Sequence, residues 1–487
     1  MRNLSMTIGV HVPQLSVILR TCLEVIIQAA NMPLKKNMKY LSLFITMCFL
    51  SACSKETLPD YDLVVSNVNL IDGTGNPMQR GVTIGVKDGK IIEINLDSIN
   101  QARKKIDGTG KFLIPGLFDC HVHTENFERD FPRFIHYGVT SVFITGGSLC
   151  TNEYYAAMRD RGNQDSIPAP YVFHTSQHFS MEGRHPSKTY ANSNWQDGKS
   201  IFFLKDTLQI EQLVQQVAQY PIVGIKLTIE DGPAPPFVER IPQAFIDKTV
   251  KEAAKYGLDV FAHVSDNVEL EMAIKGGVQN LVHFTGINLN QQDSNQLQLV
   301  KQFKEKDPSW VTTLMIDKSF LYPLHPAWFE VEGMLPEYQL MGNQLTPELV
   351  QRATIYLQIL KEEYGLTESG LSSMMTPQVE DIQFLYQMGI NMVLGTDTGN
   401  DFNFPGYSLH EEMQLLELGG MAPLDIIKMG TLNAAKMLKI DDRLGSIAEG
   451  KVANLILLDK NPVESIINTL AINTVIKNGV VQKRIVK

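Results

Sequence analysis

The chain has 487 residues, well beyond one ordinary domain of about 150, so one large barrel or two domains is the expectation. With 44% hydrophobic and 20% charged residues the composition is globular, which excludes collagen-like and low-complexity chains; the net charge of −10 argues against a nucleic-acid or anionic-membrane binder. The five cysteines (22, 48, 53, 120 and 150) show no CxxC spacing, so neither a zinc ribbon nor a disulfide framework is supported.

In chain order, the first element is an address. From Met38 the sequence runs MKYLSLFITMCFLSAC: a basic Lys39, an apolar run from Leu41 to Leu50, then Leu50-Ser51-Ala52-Cys53. The apolar run is short for a bilayer span and right for a secretory signal. Leu-Ser-Ala-Cys resembles the lipobox of bacterial lipoproteins. That resemblance implies a start at Met38, a leader over residues 1–53, lipidation at Cys53 and an acyl-anchored protein of the bacterial cell envelope, on the periplasmic or cell-surface side, touching the membrane only through its lipid. A second, weaker apolar stretch lies upstream at Leu15 to Ala30. Removing residues 1–52 takes away five Lys/Arg and one Asp/Glu, leaving a more acidic body.

Residues 60–114 alternate short β-rich runs with glycine turns (DLVVSNVNLI, GVTIGV, KDGK, KFLIP), and the same texture returns over 441–487 (VANLILLD, TVIKNGVV). Both ends are therefore expected to build one small, discontinuous β-sandwich domain. The middle, 115–440, alternates apolar strands with helical stretches, the signature of parallel βα units. Eight strand candidates stand out: LFDCHVH, VTSVFIT, YVFHTS, VGIKLTI, LDVFAHV, NLVHF, VTTLMI and MVLGTD. Helices are expected between them, over Ile241–Tyr256, Asn267–Gly276 and Thr346–Tyr364. The fold class is thus α/β, a TIM (β/α)8 barrel with a β-sandwich attached; a doubly wound sheet would not place polar residues at so many strand ends.

Those ends carry the chemistry, because barrel active sites sit at the C-terminal ends of the strands. Strand 1 ends in His121-Val122-His123, strand 4 carries Lys226, strands 5 and 6 end at His263 and His283, and strand 8 ends at Asp397. Each alone has a bland reading: a packed core histidine, a lysine with a buried stem, a turn-capping aspartate. Together, four of only 11 histidines converging on one rim with a lysine and an aspartate point to metal ions. Neutral imidazole and carboxylate suit zinc, with manganese or cobalt as alternatives, and two ions about 3.5–4 Å apart can share one water-derived hydroxide. A lysine ammonium is no ligand; carbamylated, Lys226 becomes a carboxylate able to bridge two ions. Asp397 is then placed to take a proton from the attacking water.

At these residues the sequence resembles the amidohydrolase superfamily, through IPGLFDCHVH (114–123), GIKL (224–227), FAHV (261–264), LVHF (281–284), LGTDTG (394–399) and the run GTLNAAKMLKIDDRLGSIAEGKVANLILLD (430–459). Within it the chain looks like the imidazolonepropionase-like and Xaa-Pro dipeptidase (prolidase) branch. The resemblance implies that His121 and His123 hold a first ion, that N6-carboxylysine at Lys226 bridges, that His263 and His283 hold a second ion, and that Asp397 serves the first ion and the proton; a homo-oligomer is allowed only on the same ground. The sequence also departs from the pattern. LTIEDGPAPP follows Lys226 where that branch has a glycine-rich loop, and HVSD (263–266) lacks the His-x-x-Glu of the deaminase members. His185, in MEGRHP, stands where the branch often has Gly-Gly-His, so it is a candidate substrate contact; His174 and His178 carry little weight.

The expected activity is metal-dependent hydrolysis of a C–N amide bond in a dipeptide, Xaa-Pro-like, or a related small amide. Two rivals stand beside it: a single-metal hydrolase of a cyclic amide with Lys226 unmodified, and a non-catalytic binding lipoprotein on an inactive barrel. Arg184 and Arg240 are candidate clamps for a peptide carboxylate or plain surface charges. Trp310, Tyr322, Trp328, Phe329 and Tyr338 could wall a pocket or cover the barrel.

Overall fold

The computed structural model describes residues 61–95, 102–124, 126–190, 193–232, 236–284, 286–321 and 368–485, with scattered helical residues between 347 and 362. The leader with Met38 and Cys53, the aromatic residues Tyr322, Trp328, Phe329 and Tyr338, and most of the expected helix over 346–364 lie outside the described residues.

The N-terminal strands are β1 (Tyr61–Leu70), β2 (Gln79–Lys87), β3 (Lys90–Ile94), β4 (Ala102–Asp107) and β5 (Phe112–Pro115). Asp88-Gly89 turns β2 into β3 with both residues at positive φ (49° and 74°), the backbone that a two-residue hairpin needs.

Next come the parallel strands. β6 (Leu117–Val122), β7 (Val139–Ile144) and β8 (Tyr171–His174) form one sheet. The second sheet comprises β9 (His178–Ser180), β10 (Ile201–Phe203), β11 (Gly224–Thr228), β12 (Asp259–His263), β13 (Asn280–Val282), β14 (Ser309–Val311) and β15 (Asn391–Val393), in the order β10-β9-β11-β12-β13-β14-β15. Backbone hydrogen bonds cross both gaps between these sheets. Val223 N donates to His174 O (2.9 Å) and Ser176 N to Gly224 O (2.8 Å) on one side, Cys120 N to Leu394 O (3.0 Å) and Asp397 N to His121 O (2.8 Å) on the other.

Helices cover the strands because apolar faces alternate with capped starts. Asp206, Asp266 and Asp293 accept backbone N–H groups that open helices Thr207–Val217, Asn267–Lys275 and Ser294–Lys304. Ile246 and Leu270, from the helices, share one core with Ile225, Val260 and Leu281 from the strands. Among the described residues no helix is long and apolar enough to cross a membrane.

Finally β16 (Leu455–Leu458), β17 (Ile472–Lys477) and β18 (Val480–Val481) return to the first sheet; Asn478-Gly479 makes the last hairpin. β16 runs antiparallel to β5, with Leu113 opposite Leu457, so strands from both ends share the order β18-β17-β16-β5-β1-β2-β3, with β4 on β1. Their core is Leu63, Val65, Val82, Ile84, Leu113, Leu455, Leu457 and Ile476. Hydrogen bonding joins all eight strands in one sheet that branches at β1, which pairs with β2, β4 and β5.

Two details differ from expectation. VTTLMI is not a strand: β14 stops at Val311, Thr313 takes φ 56°, and a helix starts at Met315. The cause is Glu412, whose carboxylate accepts from Thr312 Oγ1 (2.5 Å), Leu314 N (3.0 Å) and Met315 N (2.9 Å) and so bends the chain away from extended pairing. The short strands β9 and β10 are additions that the apolar pattern did not mark.

Candidate metal centre

His121 and His123 end β6. His121 Nε2 lies 3.1 Å from His123 Nε2 and 2.8 Å from Thr145 Oγ1, while His123 Nδ1 is 2.7 Å from Gly146 O, which leaves its Nε2 facing inward. Asp397, just past β15, meets both rings: Oδ1 is 2.9 Å from His123 Nε2 and 3.4 Å from His121 Nε2. Asp397 adopts φ 60°, a conformation few non-glycine residues hold without support. Support comes from Asp119, fully buried, which accepts Thr396 N (3.0 Å), Thr396 Oγ1 (2.7 Å) and His121 N (3.4 Å) and thereby fastens the Asp397 turn to the histidine strand. Burial pushes the Asp119 carboxyl up to about 8.

Lys226 on β11 is wholly buried and its Nζ has no hydrogen-bond partner. Burial, outweighing the pull of Asp397 and Glu230, brings its ammonium down to about 7. His283, at φ 76°, is held by Trp310 Nε1 donating to its carbonyl (2.6 Å) and by Thr313 Oγ1 at 3.1 Å from Nδ1, and its buried Nε2 is unpartnered. Its ring stands 4.4 Å from that of His121 and 4.0 Å from that of His263. Burial, reinforced by neighbouring positive groups, holds His121, His263 and His283 well below the usual imidazole range, and neutral imidazole is the form that donates a lone pair to a metal. Burial raises the Asp397 carboxyl, but His123, His283 and Lys226 outweigh it, so Asp397 stays an anion.

The structure brings His185 into this cluster: it is buried, its Nε2 lies 3.8 Å from Glu230 Oε2, and its ring is 5.1 Å from that of His263. Glu230 was missed by sequence reasoning; it is buried, two residues past β11, with His263 Nε2 against its Oε2. His178 also points inward, with Nδ1 2.9 Å from Thr228 Oγ1 and a buried, unpartnered Nε2. A Cβ at Gly146 would come within 2.4 Å of that nitrogen, which explains a glycine there.

Other candidates lie elsewhere. His174 stacks on Tyr155 at 3.9 Å and bonds Thr175 O. Arg184 pairs with exposed Glu239, and Arg240 is engaged by Asp231, Asp266 and Glu269, so neither is a free carboxylate clamp. Trp310 is core beside Phe284 and Phe303 rather than a pocket wall. Cys120 is a packed residue, fully buried with Phe118, Phe143 and Phe261.

Residues thus converging fit a divalent ion on the chemistry of the donor set. His121, His123 and Asp397 can each offer a ligand atom within 4.8 Å of one another, and buried ligand atoms such as His283 Nε2 lack any other partner.

Comparison with known proteins agrees. The chain is 24% identical over 443 residues to ochratoxinase of Aspergillus niger, covering 82% of this chain and 81% of that one. It is 31% identical over 157 residues, 28% of the chain, to imidazolonepropionase of Shewanella baltica. In structure it resembles a Xaa-Pro dipeptidase with bound methionine (22% identity, TM-score 0.64, 86% of this chain and 99% of that one). A prolidase complexed with N-methylphosphonate-L-proline is similarly alike (20% identity, TM-score 0.64, 87% and 99%). The sequence profile of the amidohydrolase family matches residues 112–486, and the chain belongs to that family.

Proposed function

We propose that the chain is a metal-dependent hydrolase of a C–N amide bond, acting on a dipeptide or a related small amide, in a (β/α)8 barrel formed by the two parallel sheets over residues 115–440, with the strands of 60–114 and 441–487 as the attached β domain. The observation that carries this reading is the convergence of His121, His123, Lys226, His263, His283 and Asp397 from five parallel strands on one buried cluster. A divalent ion held by His121, His123 and Asp397, zinc before manganese or cobalt, would supply carbonyl polarisation and a lowered pKa for water.

The chain's own residues do the rest. Asp397, held as an anion among the histidines, accepts the proton of the attacking water and returns it to the leaving nitrogen. Lys226, brought down to about 7, is about half neutral amine at neutral pH, the form that takes up carbon dioxide; its carbamate would supply the bridging carboxylate. Relatives named prolidase and Xaa-Pro dipeptidase support a dipeptide-like substrate, and HVSD at the end of β12 disfavours deamination. A cyclic amide is the second reading, favoured by the stretch similar to imidazolonepropionase. The likeness of Leu50-Ser51-Ala52-Cys53 to a lipobox supports a lipid-tethered enzyme of the bacterial envelope.

The test is amino-acid release from a dipeptide library, Xaa-Pro members included, by residues 54–487 loaded with zinc or manganese. Metal-dependent cleavage that falls at least about a thousandfold in Asp397→Ala is the expected result. A well-metallated protein that cleaves no dipeptide and opens no cyclic amide would defeat the proposal, and tight metal-independent ligand binding would favour the binding-lipoprotein alternative.

A further inference from the structure

We propose that Trp195, set against the ring of His178, forms the subsite for the end of the substrate beyond the scissile bond, and that its ligand class is an apolar amino-acid residue with a free carboxylate. The inference rests on the reading of the chain as an amide hydrolase and deepens it. Arg184 and Arg240, the cations that sequence offered for such a carboxylate, are both held by acidic side chains. Two ring nitrogens on the β9 side, His178 Nε2 and Trp195 Nε1, are buried without a hydrogen-bond partner. Leaving such a group unpaired costs about 1–3 kcal/mol, so a ligand acceptor that meets both recovers that cost.

Three features build the place. First, β9 runs parallel to β11 with His178 paired to Lys226, so both side chains leave their strands on the same face. His178 Nδ1 meets Thr228 Oγ1 (2.9 Å), two residues past Lys226 on that face. With this hydroxyl donating to Nδ1, the ring proton sits on Nε2, and both unpartnered nitrogens are donors. Second, glycine stands at position 146, where a Cβ would fall 2.4 Å from His178 Nε2; the bare backbone leaves that nitrogen uncapped. Third, the indole is the outer layer. His178 is 4% exposed, whereas Trp195 is half-buried and stands at 82° to the imidazole, with ring centres 5.2 Å apart. Its segment is fixed by Trp195 N donating to Ser193 O (3.0 Å) and Gln196 N to Ser200 Oγ (3.1 Å). A flat apolar ring carrying one N–H suits an apolar side chain or proline ring that ends in an acceptor.

Metal-loaded wild type, Trp195→Phe, Trp195→Ala and His178→Gln are assayed on an apolar dipeptide that wild type cleaves and on the matching amide without its carboxylate, Ala-Pro and alanyl-pyrrolidine being the first pair. Bound metal is counted in each protein. Trp195→Phe, which keeps a ring and loses the N–H, is expected to lower the ratio of kcat/KM for dipeptide over amide about tenfold, chiefly through KM, with full metal content. Trp195→Ala, which also loses the apolar face, is expected to lower kcat/KM for both compounds. His178→Gln, on the strand rather than the loop, tests the second donor by the same ratio and serves if the Trp195 variants fail to fold. A ratio unmoved in either folded donor variant, or one that falls only with loss of metal, overturns the subsite and leaves the hydrolase reading standing. So does a wild type that cleaves no dipeptide but opens cyclic amides. A well-metallated wild type that hydrolyses no amide overturns both.

Discussion

Asp397 combines a positive φ with a reactive carboxylate, and the residue that makes this tenable is Asp119. Asp119→Ala strands the backbone N–H groups of Thr396 and His121 in a fully buried place, each worth about 1–3 kcal/mol, while the Thr396 hydroxyl keeps Thr398 Oγ1, so a loss of about 2 kcal/mol or more is expected. Asp119→Asn keeps an oxygen for the N–H pair, and because burial pushes the carboxyl up to about 8 it is already largely protonated at neutral pH. The asparagine variant is therefore expected within about 1 kcal/mol of wild type by urea denaturation. Equal losses for both variants would show that Asp119 acts as an anion. The same residues show where sequence reading stops. His121, His123, Lys226, His263, His283 and Asp397 were legible because rare polar types ended apolar strands. Glu230 was not, because in IEDG it reads as a turn acid, and only the capture of Asp231 by Arg240 turns it inward. Asp119 was hidden inside LFDCHVH, where nothing local reveals that Thr396 will meet it.

Helix Tyr407–Leu418 shows the same dependence at the scale of an element. Its His410 is buried, with Nε2 2.8 Å from Tyr137 O and Nδ1 2.8 Å from Thr469 Oγ1, so one ring ties the helix to two distant segments. Burial brings this imidazole down to about 4, against about 6.5 when unfolded. Below pH 6.5 the unfolded chain therefore binds a proton that the folded chain refuses. Stability through His410 is intact above that pH, drains away as pH falls towards 4, and is fully lost below it. The 2.5-unit gap corresponds to about 3 kcal/mol. Denaturation at pH 7 and pH 4 should show the advantage of wild type over His410→Gln shrinking by about that amount; a constant difference would mean that His410 is protonated in the fold. Two places on the same helix tell what the pattern could and could not show. The sequence reading marked no helix here, and Glu412 gathering the Thr312–Met315 turn ends β14 early through a contact that spans about a hundred residues of chain. Local pattern predicts a strand through VTTLMI; a distant carboxylate decides otherwise. The hairpins at Asp88-Gly89 and Asn478-Gly479, whose signals are local, were readable outright.

At the scale of the whole molecule, the cluster joins two sheets that hydrogen bonding otherwise links only at their edges. His121 and His123 come from β6 in the three-stranded sheet, Lys226, His263 and His283 from the seven-stranded one, and Asp397 follows β15 at the junction. A ligand held only by the folded arrangement stabilises the entire fold by RT ln(1 + [L]/Kd), about 2.7 kcal/mol at a hundred times Kd. In the saturating range each tenfold rise in free zinc adds about 1.4 kcal/mol for every ion bound to the folded state alone. The slope of unfolding free energy against log zinc thus counts ions without reference to any substrate. Two ions bound to the folded state alone require a slope near 2.8 kcal/mol per decade in buffered zinc. Chelation should return the protein to its least stable form, in which imidazoles and carboxylates are buried together with nothing between them. Asp397→Asn, which weakens the position on His121, His123 and Asp397, should lower the slope. A slope near 1.4 in wild type would leave a one-ion enzyme, and a flat line would remove metal from the fold altogether.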